Sequence, residues 1–312
     1  MSLEEFQGST FRVLTFLKAK SMKSLCPFHA DTYVKGLSTI GSPKPHISGH
    51  FYLLERSIAG TPYVDGVGPW PYLHIENNSM LDALKDDFED FVTLTVVTQP
   101  GFIPRGRGLD PVFLKEHYVF DPKRPIPSLS SRARKRLAKV EQRAIFEQVM
   151  EREDQLAFTP LYRDLIQRRG LKETYIDFSL KHFESIAALN DGIFFRVKED
   201  TTIGAMACGV VFGDVLQILH MVFTPEGLGW NASYLLMKGL QDYALAHQLR
   251  LMTGGMPAGA SEGLRIFKAR WANHMEPVYL LRRINALPTY QALCAQRGMH
   301  PNYFPAYRSP SY

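Results

Sequence analysis

"GWNASYLLMKGLQDYALAHQLRLMTGG", residues 229–255, reads as a long helix beginning near Asn231, followed by a strand and a glycine turn. The stretch before it, "VLQILHMVFTPEGLG" (215–229), is a strand that runs into Pro225, Gly227 and Gly229. A strand, a glycine turn and a helix in that order leave the first helical amides without intrahelical partners, next to the positive end of the helix dipole. Glycines let a ligand approach the backbone closely, so Gly227, Gly229, Asn231 and Ser233 form a candidate cradle for a pyrophosphate. A glycine turn with an Asn cap is also the simplest way to start any helix. The turn follows antiparallel strands rather than the first strand of a parallel sheet, which argues against a dinucleotide fingerprint, and no GxxxxGK[ST] is present.

Working outward, "GGMPAGA" (254–260) leads into a short helix and a last strand, "EGLRIFKARWANHMEPVYLLRR" (262–283). Its Arg265, Lys268 and Arg270 beside Phe267 and Trp271 suit an anionic ligand, or equally a helix with one wet and one dry face. Upstream lie three strands, "GIFFRVKED", "TIGAMACGVVFG" and "VLQILHMVF", the last two joined as a hairpin at Gly213–Asp214. Before them come the strand "AIFEQVM" and two helices, the first closing near Gly170. The first half echoes part of this order: strands in "HISGHFYLLERSIAG" and "TPYVDGVGPW", a helix capped within Asn77–Ser79, the strand "FVTLTVVTQP", the loop "GFIPRGRGLDP" and the short strand "EHYVFD". Prolines near residue 125 mark a boundary, and beyond it Ser130 or Ser131 caps a strongly basic helix over about 132–142. Its Arg132, Arg134 and Arg136 form either a solvated face or a phosphate-contacting one, since arginine forks match phosphate oxygens.

Composition bounds the rest. The chain has 312 residues, 45% hydrophobic and 21% charged, enough for a core and two domain-sized units. Lys and Arg exceed Asp and Glu, 36 to 31, a mild basic bias that suits anionic ligands without requiring nucleic acid. Cys26, Cys208 and Cys294 are far apart, with no CxxC and no metal-ligand spacing, so neither a disulfide framework nor a metal site is expected. Cys208 reads as inert core. The N-terminus is a poor signal peptide and no stretch approaches the roughly 20 apolar residues of a membrane span, so a cytoplasmic protein is expected.

Three stretches carry a resemblance: "HYVFDPKRPIPSLSSRARKRLAKVEQ" (117–142), the opening 229–255, and "GLRIFKARWANHMEPVYLLRR" (263–283), the last resembling a "GL..FK..FG" ending. Together, over about residues 45–285, they resemble the tandem-GNAT acyltransferases of the FemABX type, which include peptidoglycan-bridge aminoacyltransferases. The resemblance implies an α/β (α+β) fold of two tandem GNAT-like lobes, each a mixed, largely antiparallel sheet flanked by helices. Residues 1–128 would form a degenerate N-terminal lobe and 129–312 a lobe holding the donor site. It also implies an N-acyltransferase that moves an acyl group from acyl-CoA, as co-substrate, to an amine-bearing small molecule or a nucleotide-linked acceptor. An aminoacyl-tRNA donor and a non-catalytic binding module are the alternatives. The usual GNAT loop has Arg or Gln three residues before its Gly-x-Gly/Ala, and Thr224 stands there in this chain. Lys268, matched to the motif lysine, would hold the oxyanion. His220 is the candidate base, with Glu226 as its rival and Glu262 weaker. Tyr162 and Tyr234 are candidates to protonate a leaving thiolate. "PWPYLH" and "PGFIPRGRG" would line an acceptor cleft between lobes.

Overall fold

A computed structural model describes residues 26–105, 108–170, 178–256, 261–300 and 303–308. The N-terminal reading, residues 257–260 of the "GGMPAGA" turn, and Gly106 and Arg107 of the "PGFIPRGRG" loop lie outside the described residues. In chain order the elements are α1 (Asp31–Lys35), β1 (Ser42–Pro45), β2 (Tyr52–Ser57), β3 (Val64–Val67), α2 (Asn78–Asp86), β4 (Thr93–Val97) and β5 (Asp110–Phe120). Next come α3 (Ser131–Glu141), β6 (Ile145–Val149), α4 (Arg152–Leu156), α5 (Phe158–Arg169), α6 (Leu180–Ala187), β7 (Gly192–Glu199), β8 (Thr202–Phe212) and β9 (Val215–Phe223). The chain continues through α7 (Pro225–Gly229), α8 (Ala232–Ala246), β10 (Arg250–Gly255), α9 (Glu262–Trp271), β11 (His274–Ile284) and α10 (Leu287–Arg297). Among the described residues, no helix is long and apolar enough to cross a membrane.

The strands form one mixed sheet in the order β1-β2-β3-β4-β11-β5-β10-β9-β8-β7-β6. Two neighbouring pairs, β3·β4 and β9·β10, are parallel, and the other neighbours run antiparallel. The two halves therefore repeat a pattern: antiparallel strands, a helical crossover, and a strand parallel to its predecessor. They also exchange their next strand. β5 follows β4 in the chain but pairs with β10, while β11 follows β10 and pairs with β4, and the exchanged strands lie against each other. A cut after residue 128 would separate β11 from both of the strands it bonds to.

Alternation along the central strands builds two cores from one sheet, because successive side chains point to opposite faces. Phe195, Ala205, Ala207 and Leu216 face α3 and α8, where Leu137, Leu236 and Leu240 cover them with Trp271 of α9. Their neighbours Phe194, Met206 and Cys208 face Phe158 and Phe183, together with Phe28 and Tyr33 from the N-terminal segment. The Cys208 thiol is fully buried, and burial pushes its pKa far up, which fits an inert core residue. A third core, including Leu53, Leu81, Phe88 and Val96, closes the first half.

Several local readings match the structure for the reasons that suggested them. Asn77 caps α2 by accepting from the amides of Ser79 (3.1 Å) and Met80 (3.3 Å), and Ser130 caps α3 through the amide of Ala133. Gly170 ends α5 in the left-handed region (φ 56°) and Gly213 turns the β8–β9 hairpin (φ 55°). Others differ. β5 is longer than "EHYVFD", because Pro111 sits near its N-terminal end rather than stopping it. The glycine turn is a short helix, α7, and Asn231 lies in the left-handed region (φ 66°) without a side-chain cap on α8. Thr224 and Pro225 explain α7: Thr224 Oγ1 accepts from the amide of Gly227 (3.0 Å), and proline is preorganised for the first helical position.

The two glycines of α7 then differ in kind. A Cβ on Gly227 would sit 1.9 Å from the backbone oxygen of Gly204 on β8, whereas one on Gly229 would meet nothing within 4 Å. Gly227→Ala should cost about 1–3 kcal/mol in denaturant unfolding through overpacking. Gly229→Ala should be neutral or stabilising by up to about 1 kcal/mol, since alanine is the better helix former. A second expectation concerns Asp65, 1% exposed on β3. It accepts from Thr93 Oγ1 (2.7 Å), Tyr307 Oη (2.6 Å) and Arg308 Nε (2.6 Å), tying the C-terminal residues to the first half. Asp65→Ala strands the Arg308 cation and should lower unfolding stability by about 3–5 kcal/mol.

Candidate functional site

β9 and β10 are paired only where Val215–Gln217 face Arg250–Met252. Beyond that point β9 continues to Phe223, while β10 bulges at Thr253–Gly254 and pairs Gly255 with His117 of β5. The strands thus open a wedge toward their C-terminal ends. Gln217 sits at its vertex: its amide nitrogen donates to the carbonyls of Ile218 (2.9 Å) and Met252 (3.4 Å), and its oxygen accepts from Tyr72 Oη (3.1 Å). Tyr72 comes from "PWPYLH", so that first-half segment does reach the second half.

Lys268 lies at the open end of the wedge. Its ammonium donates to the carbonyls of Thr253 (2.9 Å) and Gly255 (2.9 Å), both on β10. Between them Gly254 takes a positive φ of 87°, and its amide donates to His117 Nε2 (2.9 Å). An ammonium has three N–H donors, so one is left for a ligand among the described residues. Burial, with help from the neighbouring Lys115 cation, lowers the Lys268 pKa to about 8. Burial also lowers Lys115, and burial with the two lysines lowers His117 to about 3. His117 is therefore neutral at pH 7 and carries its proton on Nδ1, because Nε2 is the acceptor. The result is a patch of positive potential held at the end of a strand.

Glu276 on β11, opposite His117, is a carboxylate that sequence reasoning missed. Its Oε1 pairs with Arg250 and lies 3.4 Å from His274 Nε2, while Oε2 is buried without a hydrogen-bond partner among the described residues. A lone acid in "MEPVYLL", otherwise an apolar run, was the available signal. Gly101 of the "PGFIPRGRG" loop packs against this carboxylate; a Cβ there would lie 3.0 Å from Oε2.

The other expected residues fall elsewhere. His220 faces the opposite side of the sheet from α9. Its Nε2 lies 2.9 Å from His182 Nε2, and its ring stacks on Trp70 at 4.6 Å. Phe178, Phe183 and the buried Tyr162 surround it. Burial lowers both histidines, so one neutral ring donates to the other. The fold therefore does not bring His220 or Tyr162 together with Lys268. Glu226 is exposed in the first turn of α7, and Ser233 is half-buried in the first turn of α8. Glu262 is exposed and paired with Arg265. The Gly227 amide is spent on Thr224, so the turn offers a ligand fewer free amides than a bare glycine loop would. On α3, Arg132 and Arg134 are exposed, whereas Arg136 turns in and donates to Tyr234 Oη (3.0 Å). A groove of about 690 Å³ lined by Gly108, Asp110, Arg282, Tyr290 and Phe304 opens at the other end of β11.

No protein-family model matches this chain, and no curated protein matches it in sequence. Solved structures do match in shape. FemX aligns over 85% of this chain and 94% of its own, with 13% identity and a TM-score of 0.63. L-PGS from Bacillus licheniformis aligns over 84% and 90%, with 14% identity and a TM-score of 0.53. The C-terminal domain (DUF2156) of a putative lysylphosphatidylglycerol synthetase from Agrobacterium fabrum aligns over 81% and 87%, with 16% identity and a TM-score of 0.52. These likenesses, together with the parallel β9·β10 pair, its wedge and the helix that follows β9, establish a GNAT-like α/β fold of the kind FemX has.

Proposed function

We propose that the protein is an N-acyltransferase that moves an acyl group from acyl-CoA to an amine by direct attack. The observation that carries the reading is Lys268, an ammonium pinned to two β10 carbonyls just past the point where β10 parts from β9, with one donor uncommitted among the described residues. The GNAT-like fold shared with FemX supports transfer chemistry at that place. In the step, the neutral amine nitrogen attacks the thioester carbonyl carbon. The C–N bond forms and the carbonyl oxygen becomes an oxyanion that accepts from Lys268. The C–S bond then breaks, and the departing thiolate takes up the proton that the new amide nitrogen sheds, giving amide and free thiol. Preorganisation is the point of the two carbonyl contacts: the cation is already oriented when charge develops.

A second reading keeps the attack and changes the donor to an aminoacyl-tRNA ester, with a ribose oxygen as leaving group. The Gly227 amide taken by Thr224 favours it, because that amide is lost to a pyrophosphate. Acyl-CoA and aminoacyl-tRNA assayed side by side against a panel of amines separate the two, since only one donor should be consumed.

Lys268→Met should lower kcat by about 10²–10³-fold, the usual effect of removing one oxyanion donor, with little change in donor KM. The lysine acts as a cation and its pKa is lowered to about 8, so activity should fall as pH rises through about 8. Lys268→Arg keeps its charge at any assay pH and should shift that alkaline fall upward. Full activity in Lys268→Met would sink the reading.

A further inference from the structure

We propose that Arg136, Arg270 and Tyr234 form a binding site for a phosphomonoester dianion, beside the first turn of α8 and apart from Lys268. Tyr234 is the third residue of α8 and is 6% exposed. Its hydroxyl oxygen accepts from Arg136 of α3 at 3.0 Å and from Arg270 of α9 at 2.8 Å. The two guanidinium carbons stand 5.6 and 5.3 Å from the centre of the same ring. Two full positive charges thus converge on one neutral oxygen, from helices that flank α8.

Their counter-charge is missing among the described residues. Several partly buried arginines of this chain meet carboxylates: Arg196 with Glu147, Arg250 with Glu276, Arg308 with Asp65. Arg136 and Arg270 have no carboxylate within ion-pair distance among the described residues. Like charges this close repel, and the arrangement is costly without an anion. The neighbourhood is rich in donors and poor in acceptors. The tyrosine oxygen has both lone pairs occupied, so its own O–H is left to donate. Each guanidinium has five N–H donors, and the contact to Tyr234 uses one of them. Trp271, edge-on to Tyr234 with ring centres 6.0 Å apart, holds a buried indole N–H with no partner among the described residues. The first turn of α8 has no side-chain cap, which adds amide dipoles of the same sign. Both arginines are half-buried, so their unused donors are open to solvent.

Charge and shape select the ligand. Two cations focused on one point match the two negative charges of a terminal phosphate, and guanidinium forks match its paired oxygens. A phosphodiester has one charge per phosphate and calls for cations spaced along a chain instead. The site stands independently of the transfer reading, because binding alone tests it.

The experiment is calorimetric titration of the full chain with glycerol phosphate, with dimethyl phosphate and poly(U) as comparisons. Glycerol phosphate should bind saturably, and dimethyl phosphate about tenfold or more weakly, as expected when a charge-assisted contact is lost. Binding should weaken as pH falls through about 6, where a phosphomonoester gains its second proton. Arg136→Gln and Arg270→Gln should each weaken it about tenfold or more. Arg136→Lys and Arg270→Lys keep the charge without the fork and should fall between, with circular dichroism confirming that each variant folds. Equal affinity for mono- and diester, affinity unchanged in both glutamine variants, or no saturable binding by the wild type would each overturn the site. Preference for poly(U) would also overturn it, in favour of a nucleic-acid surface along α3.

Discussion

The hydrogen bonding of β4 and β5 constrains everything else. They follow each other in the chain, yet β11 lies between them, supplied from more than 150 residues downstream of β5. Without β11, β4 would present a bare edge of unpaired amides and carbonyls, and an exposed edge invites aggregation. Without β5, β10 would lose its partner on the side away from β9. The reciprocal exchange satisfies both edges at once. It also sets the register that puts Glu276 opposite His117 and Gly255 beside it. The wedge opens at the irregularity in that register. β10 parts from β9 after Met252, where it bulges against β5 before Gly255 meets His117.

Two ways of placing positive charge coexist around this sheet. Lys268 is held by backbone carbonyls at a strand end, where burial and Lys115 lower its pKa. Other arginines, among them Arg143, Arg196, Arg250 and Arg282, are paired with acids, and such pairs contribute little each when exposed. The buried Asp65–Arg308 pair is the structural extreme of the second kind. Burial treats the histidines differently: His117, His182 and His220 are all held neutral, and they serve as hydrogen-bonding members of packed aromatic or backbone networks.

Much of this was legible residue by residue. Asn77, Ser130, Gly170 and Gly213 each punctuate an element as their chemistry suggests. The fold class followed from the order of elements and from the motif around Phe267–Lys268. What was not legible has two physical causes. Glycine was overweighted at Gly227 and Gly229, where the Thr224–Pro225 pair starts a helix and Gly227 is small because β8 passes against it. Strand partners carry no local signature, so neither the exchange of β5 with β11 nor the pairing of Glu276 with Arg250 could be read. Arg136 is intermediate. It lies one helical turn from Ala133 and from Val140, both buried, and that spacing distinguishes it from the exposed Arg132 and Arg134 in the same basic run.

The exchanged strands also carry a temporal consequence. A ribosome releases the chain from its N-terminal end, and β1 to β5 emerge long before β11 exists to cover β4. The first half cannot complete its hydrogen bonds while synthesis proceeds through α3 to α9. Nearly the whole chain must be available before either half can close. Folding of this protein is therefore expected to be a late event in its synthesis, and its nascent first half a substrate for chaperones that shield strand edges.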